Sequence, residues 1–290
     1  MKTWLIAGGT GLIGTRVRRH LTEAGHRAVI LSRRPGADRV TWTELESAVS
    51  EADVILNLAG ENLVGARWTP AVKERLVRSR IESTERIVDA IRRSARRPEV
   101  LINASAVGYY GDRADAPLTE DSAPADDFLA DLCVRWEEAA KPVVAYGVRL
   151  VMPRIGVVLD PDGGAVAKMK LPFQLFGGGP LGSGAQFFPW IHADDLCRMI
   201  LWAASNPAVA GPLNAVGPSP VTMTAFARCM GRAMRRPSWF PVPAPLIRLI
   251  AGEAATAVLA SQRVVPEKAI ALGFTFGFME PEPALRDLLA

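Results

Sequence analysis

Two sets of residues in this chain have the types and spacing to do chemistry. One set could move protons: Ser105, Tyr109 and Tyr110 in the segment Ser105-Ala106-Val107-Gly108-Tyr109-Tyr110-Gly111, and His192 in Trp190-Ile191-His192. A serine at a strand end, followed by a Gly/Tyr turn, can present its hydroxyl beside a bound ring, and tyrosine or histidine can give or take a proton there. His192, standing alone, reads first as a structural residue. The other set could bind without reacting. In Leu5-Ile6-Ala7-Gly8-Gly9-Thr10-Gly11-Leu12-Ile13-Gly14, glycines at 8, 11 and 14 separate an apolar run from a helical one. Such a junction needs a tight turn and a close backbone approach, and the amides of the following helix face a pyrophosphate. About twenty residues further on, a dinucleotide fold places the residue that reads the adenosine ribose. An acid there binds the ribose hydroxyls and repels a 2′-phosphate. This chain has Ser32, Arg33 and Arg34, a hydroxyl and two guanidiniums suited to phosphate. The cofactor this predicts is NADP, in preference to NAD.

The elements that must position these groups follow from periodicity. Trp4 to Ala7 is a short buried strand, and Leu12, Ile13, Val17 and Leu21 recur at helical spacing. Ala28 to Leu31 is a second strand. Asp53 to Leu58 is a third, running into small residues (Leu58, Ala59, Gly60, then Glu61) at the carboxyl edge of a sheet, where ligands collect. A helix opening near Thr69-Pro70 carries Ile81, Thr84, Ile87, Val88 and Ile91 on one face. Arg80 precedes that stripe and points either toward the cofactor or into solvent. Val100 to Ser105 is a strand, Asp126 or Asp127 caps the helix bearing Phe128, Leu132 and Trp136, and Val148 to Met152 leads into Pro153-Arg154-Ile155-Gly156. This alternation predicts an α/β fold, a Rossmann-like doubly wound parallel sheet, over residues 1–153. Residues 154–290 form a substrate-side region and a small, mostly helical C-terminal part, with a helix at 194–207, capped by Asp194 or Asp195, free to pack back on the sheet. The glycine-rich stretches Gly163-Gly164 and Gly177 to Gly184 read either as a substrate pocket or lid or as surface loops.

Composition bounds the partners. The 290 residues carry 34 Lys+Arg against 30 Asp+Glu, and the densest basic cluster (Arg92, Arg93, Arg96, Arg97) closes a helix, where cations suit the dipole. Nucleic acid is therefore not an expected partner. The three cysteines are widely spaced without metal-ligand pairing, which suits a reducing compartment and no metal site. The hydrophobic start is itself the first strand and not a signal peptide, and the apolar stretch Pro243 to Ala260 is interrupted by Arg248 and Glu253. A cytoplasmic protein with a small-molecule substrate and no membrane partner is the expectation; the oligomeric state stays open.

Taken together, the motifs resemble the extended short-chain dehydrogenases/reductases, in the atypical branch of epimerase-like proteins. The glycine turn matches the extended pattern, apart from Ala7 where threonine is frequent. Asn57-Leu58-Ala59-Gly60-Glu61-Asn62, Arg67-Trp68, the Ser105 segment, Gly182-Ser183-Gly184 and Trp190-Ile191-His192 look like the branch's own segments. Gln262 to Lys268 with Gly273-Phe274 is similar to the small C-terminal domain of unknown function that ends such proteins. The resemblance implies an NADP site lined by Ser32, Arg33, Leu58, Ala59, Arg80 and Arg154. It also exposes a departure. Typical relatives carry Tyr-x-x-x-Lys on the helix after the serine strand, and the aligned positions here are Phe128 and Leu132, neither of which transfers a proton. Redox chemistry would then draw on Tyr109, Tyr110, His192 or a group of the substrate. Two functions follow: an NADP-dependent oxidoreductase or epimerase acting on a small hydroxylated or carbonyl compound, or a catalytically silent NADPH-binding sensor or partner-binding module. The glycine-rich substrate side favours the first.

Overall fold

Strands buried on both faces read as unbroken apolar runs, and Val54–Asn57 and Val100–Asn103 are buried at every position. They lie at the centre of a parallel sheet in a computed structural model that describes residues 1–63 and 67–289. We number the strands of this sheet β1 (Thr3–Ala7), β2 (Arg27–Ser32), β3 (Arg39–Thr41), β4 (Val54–Asn57), β5 (Val100–Asn103), β6 (Arg149–Ile155) and β7 (Gly211–Ala215). Their spatial order is β7-β6-β5-β4-β1-β2-β3, with Ser105–Ala106 adding a short pairing to β6. The chain thus winds outward from β1 to β3, crosses back, and winds outward again from β4. Loops leaving β1 and β4 diverge at that reversal, which opens a crevice at their carboxyl ends.

Period-two alternation sorts the strand side chains onto two faces. Trp4, Ile6, Val54, Leu56 and Ile102 meet α1 (Leu12–Glu23) through Val17 and Leu21. Leu5, Ala7, Ile55 and Leu101 meet α2 (Leu45–Glu51) and α3 (Pro70–Arg93) through Val49, Ile87 and Ile91. The helix predicted to open near Thr69-Pro70 does so, with Thr69 accepting from the Val72 amide and Pro70 in the first turn of α3; of Asp126 and Asp127, Asp127 is the cap of α4 (Phe128–Ala140), accepting from the Ala130 amide.

Three expectations need correction. First, the cofactor-side sheet does not end at residue 153. β7 pairs in parallel with β6 over Gly211 to Ala215. Of the next two helices, α5 (Gly164–Gln174) and α6 (Ala193–Ser205), the second lays Leu196, Cys197, Met199 and Ile200 on the same face as α1. The Arg149 guanidinium fixes this return by donating to the α6 carbonyls of Ala203 (2.8 Å) and Ala204 (2.8 Å), which a helix end leaves free. Second, the glycines at 163 and 164 begin α5 in place of a loop: Gly164 has φ +64° and turns the chain into the helix. Third, α6 is capped by His192, whose Nδ1 accepts from the Asp194 amide at 3.1 Å, while Asp194 and Asp195 occupy the first turn, where carboxylates suit the dipole.

Around this sheet, Val157–Asp160 pairs with Trp190–His192. α5 and α7 (Met223–Met234) pack there in a separate core of Phe173, Trp190, Phe226 and Met230, with Leu285 from the C-terminal helix Pro281–Leu289. No helix among the described residues is long and apolar enough to cross a membrane.

Because α6 and β7 cover one face and one edge of the sheet, a chain cut after Pro153 should not fold to the native sheet. Such a fragment is expected to bind a hydrophobic dye and to show no cooperative thermal transition by circular dichroism; a sharp transition would mean that residues 1–153 are self-sufficient.

Candidate functional site

The crevice at the β1/β4 reversal is lined by the glycine turn. Gly8 has φ +77°, and a side chain there would stand 2.6 Å from the Leu58 carbonyl oxygen. At Gly14 a Cβ would stand 2.4 Å from the Gly8 oxygen. These contacts explain both glycines: one lets the two loops touch, the other lets α1 pack against its own turn. The Gly11 amide closes the turn on the Gly8 oxygen at 3.0 Å. Gly11 offers no side-chain cap to α1, and the first turn of that helix has no acid. Its leading amides and positive dipole end are therefore available to an anion. Thr10 is exposed on the turn, and Leu12 and Ile13 follow along the rim. A cavity of about 490 Å³ opens here, between the turn with Leu58 on one side and Gly164, Lys168, Ala257 and Val258 on the other.

Ser32 is half-buried at the carboxyl end of β2, with Arg33 and Arg34 exposed beyond it, and the Arg34 amide donates to Ser32 Oγ at 3.3 Å. After β4, the Leu58 amide continues the ladder to Ala7, and the Ala59 amide donates to Asn57 Oδ1. Gly60 lies against Arg80: a Cβ there would be 2.9 Å from the guanidinium carbon. Of the two orientations the sequence allows for Arg80, the buried one is found. Its nitrogens donate to the carbonyls of Leu76 (3.0 Å) and Glu61 (2.9 Å), and it lies over the Trp136 ring. Burial depresses its pKa. The Glu61 carboxylate turns outward to Arg75 at 3.4 Å. Beneath these groups is a polar cluster that the sequence reading missed: Asn57 donates to Thr84 and Asn103, and Trp136 Nε1 donates to Thr84. All of it is buried and bonded, so it fixes the loop after β4 against α3 and α4.

A second cavity, about 260 Å³, adjoins the first and shares the walls Val157, Phe188, Ala257 and Val258. Arg80, Val107, Leu132, Cys133, Trp136 and Gln262 line its other sides. Leu132 therefore faces the cavity. Phe128 does not line it; it packs on Trp68, with Lys73 over its ring.

None of the four expected proton-handling residues lines either cavity. Ser105 is buried and donates to Glu137 Oε1 at 2.7 Å. Tyr110 is fully buried, donating to Asn214 Oδ1 at 2.6 Å and accepting from Arg154 at 3.0 Å; burial pushes its pKa up to about 12, against the pull of Arg154. Tyr109 lies beneath the Arg154 guanidinium, 3.4 Å from ring centre to guanidinium carbon. His192 caps α6 and stacks on Phe278, with ring centres 4.0 Å apart. Arg154, expected at the cofactor, is also elsewhere. Its Nε and Nη2 grip both oxygens of Glu137 at 2.9 and 3.0 Å, and its Nη1 reaches Tyr110 and the Glu120 carbonyl. Burial works against that charge, but the Glu137 hydrogen bonds hold its pKa above the usual arginine value. Glu137 is the residue the sequence reading missed, and its signal was available. It falls on the buried face of α4 with Cys133, Trp136 and Ala140, and a carboxylate on an apolar stripe requires a buried cation.

Comparison with known proteins places this geometry. Residues 4–130 match the NAD dependent epimerase/dehydratase family, and residues 242–288 match a domain of unknown function, DUF1731. The mouse epimerase family protein SDR39U1 is 41% identical over 291 residues, covering 99% of each chain. The crystal structure of human epimerase family protein SDR39U1 (isoform 2) with NADPH superposes with a TM-score of 0.94 at 37% identity, covering 99% of each chain. A nucleoside-diphosphate sugar epimerase from Corynebacterium glutamicum matches at 33% identity with a TM-score of 0.80, over 99% of this chain and 58% of that one.

Two outcomes follow from the buried groups. Glu137→Gln leaves the Arg154 charge uncompensated and should cost roughly 3–5 kcal/mol of stability, read as a lowered thermal midpoint. His192 is held neutral by burial, which outweighs the nearby Asp194, Asp287 and Asp195 and lowers its pKa below the ordinary 6.5. The folded state thus excludes a proton that the unfolded chain takes up, so this stabilisation is full above about pH 6.5 and is lost as pH falls below it. Melting curves between neutrality and mild acid should be steeper in pH for the wild type than for His192→Asn, which can still cap α6; equal slopes would assign the acid sensitivity to other groups.

Proposed function

Because the chain belongs to the NAD-dependent epimerase/dehydratase family, alongside the SDR39U1 epimerase family proteins, we propose that it binds NADP(H) across the glycine turn and applies it to a small hydroxylated or carbonyl compound in the second cavity. The observation that carries this reading is that the two cavities adjoin, sharing the wall of Val157, Phe188, Ala257 and Val258. A dinucleotide held by the turn would lie beside a largely apolar chamber, and a binding site alone does not need one.

The residues fit the group. Gly8 and Gly14 leave a cradle that a Cβ would fill, and the uncapped start of α1 offers amides to a pyrophosphate. Gly11, Thr10, Leu12 and Ile13 would complete that contact. Ser32, Arg33 and Arg34 would receive the 2′-phosphate, and Leu58, Ala59, Gly60, Glu61 and Arg80 would border the cofactor beyond the turn. When bound, the nicotinamide supplies a hydride donor or acceptor. The chain's own contribution is exclusion of water by Leu132, Val157 and Phe188, together with the Arg80 charge at the inner wall. Ser105 has its proton committed to Glu137, so a proton in any turnover would come from the substrate or solvent.

A second reading, a silent NADPH-binding protein, is favoured by one specific observation: Leu132 stands in the cavity where typical relatives place an ionisable side chain, and Ser105, Tyr110 and His192 are bonded elsewhere. Following NADPH absorbance against a panel of ketones and aldehydes separates the two; no oxidation across the panel would leave the binding reading standing.

Arg33→Ala should weaken NADPH binding by about tenfold to a hundredfold, the effect of losing one hydrogen bond to a charged group, and leave NADH binding nearly unchanged. Calorimetric titration of both cofactors checks it. Equal wild-type affinity for NADH and NADPH would refute the assignment of the 2′-phosphate to the end of β2.

A further inference from the structure

We infer that the second cavity takes a largely apolar carbonyl or alcohol with a hydrogen-bond-donating, cationic end, and not a nucleoside-diphosphate sugar; this rests on the cofactor lying in the first cavity as proposed above. Two observations carry it: the state of the polar groups in the cavity wall, and the charge at its outer mouth.

The wall of the second cavity is mainly Val107, Leu129, Leu132, Ile155, Val157 and Phe188. Three of its polar groups are already committed, while Arg80 stands at its inner end and Asp127 at its outer end. Trp136 Nε1 donates to Thr84 at 3.1 Å, Gln262 Nε2 donates to the Val107 carbonyl at 2.9 Å, and the Cys133 thiol points at the Ala106 carbonyl at 3.6 Å. A sugar ring brings several hydroxyls into such a chamber, and each one buried without a partner costs free energy. An apolar ring brings none.

On its outer side the cavity shares Asp127, Thr256 and Ala260 with a wider basin of about 410 Å³. Asp112, Asp127 and Glu253 line that basin, and Arg248 is the one cation in its wall among the described residues. Glu253 is paired with Lys73 at 2.5 Å. Asp112 uses Oδ1 to accept from the amides of Ala114 and Ser261, and Asp127 uses Oδ1 to cap α4. The Oδ2 atom of each takes no part in these bonds. These two carboxylates repel a diphosphate and attract an ammonium. A ligand with its carbonyl toward Arg80 and the nicotinamide would therefore carry its donor group outward, onto Asp112 and Asp127.

The test uses the full chain loaded with NADP+, so that no turnover occurs, and four probes: 4-methylcyclohexanone, 4-(aminomethyl)cyclohexanone, 4-oxocyclohexanecarboxylate and UDP-glucose. Calorimetric titration should give the amine the highest affinity, about tenfold above the neutral ketone, the effect of one hydrogen bond to a charged group. The carboxylate should bind more weakly than the neutral ketone, and UDP-glucose should give no heat. In an Asp112→Asn, Asp127→Asn double variant, the advantage of the amine should vanish with NADP+ affinity retained; asparagine is as good a helix cap as the aspartate it replaces, so α4 keeps its start. Binding of UDP-glucose, equal or tighter binding of the carboxylate, or silence of all four probes on a protein that binds NADP+ would overturn the inference. Failure to bind NADP+ at all would instead refute the cofactor assignment.

Discussion

The ion pair between Arg154 and Glu137 is the constraint on which the site depends. Neither charge is tolerable alone in a dry interior, and the planar two-bond grip between them leaves little freedom in either side chain. Their remaining hydrogen-bonding capacity is taken up by neighbours. Ser105 binds Glu137, and Tyr110 bridges Arg154 to Asn214 in β7. The Asn214 amide in turn reaches Glu120, and its side chain reaches the Val265 carbonyl near the C-terminus. One buried pair thus locks β6, α4, the edge strand β7 and the C-terminal segment into one arrangement. It also engages the hydroxyls of Ser105 and Tyr110.

The sequence made the cofactor side legible because that side is built from local rules. A tight turn demands glycine, a strand end demands small residues, and a helix start left uncapped presents amides; each rule acts over a few neighbouring residues. The surroundings of the expected proton-handling residues were not legible in the same way. Tyr110 and His192 look like proton carriers when written in a row, but their roles are set by Asn214, Arg154 and Phe278, which lie far away in the chain. Arg154 was misplaced for the same reason, since its partner Glu137 sits on a different element. The pattern of α4 did hold the clue, a carboxylate at helical spacing with Cys133, Trp136 and Ala140. That β7 belongs to the first sheet was not legible because nothing in its own residues marks the sheet it joins; only its pairing with β6 does.

The two cavities differ in physical character, and their common wall explains how one fold serves both. The first cavity is walled on the turn side largely by backbone, where glycines expose amides and no side chain intervenes. Such a wall suits an anion whose position must be fixed. The second is walled by side chains of α4 and of the loops around Phe188, which set its shape and polarity. Residues lining the second chamber, such as Leu129 and Val107, take no part in the turn; substitutions there reshape the chamber without disturbing the cofactor cradle.

The return of the chain from the substrate side to the sheet has a consequence for synthesis. β6 ends at Ile155 and its neighbour β7 ends at Ala215, about sixty residues later. At roughly 5–20 residues per second, a chain emerging from the ribosome carries the sheet for several seconds without α6. During that interval the apolar face of Trp4, Ile6, Val54 and Leu56 has α1 as its sole cover from the helices that later bury it. The parallel edge of β6 is open over the same period, because its partner has not yet been made. The vulnerable moment in the life of this protein is therefore a stage of its birth, between the emergence of β6 and that of β7.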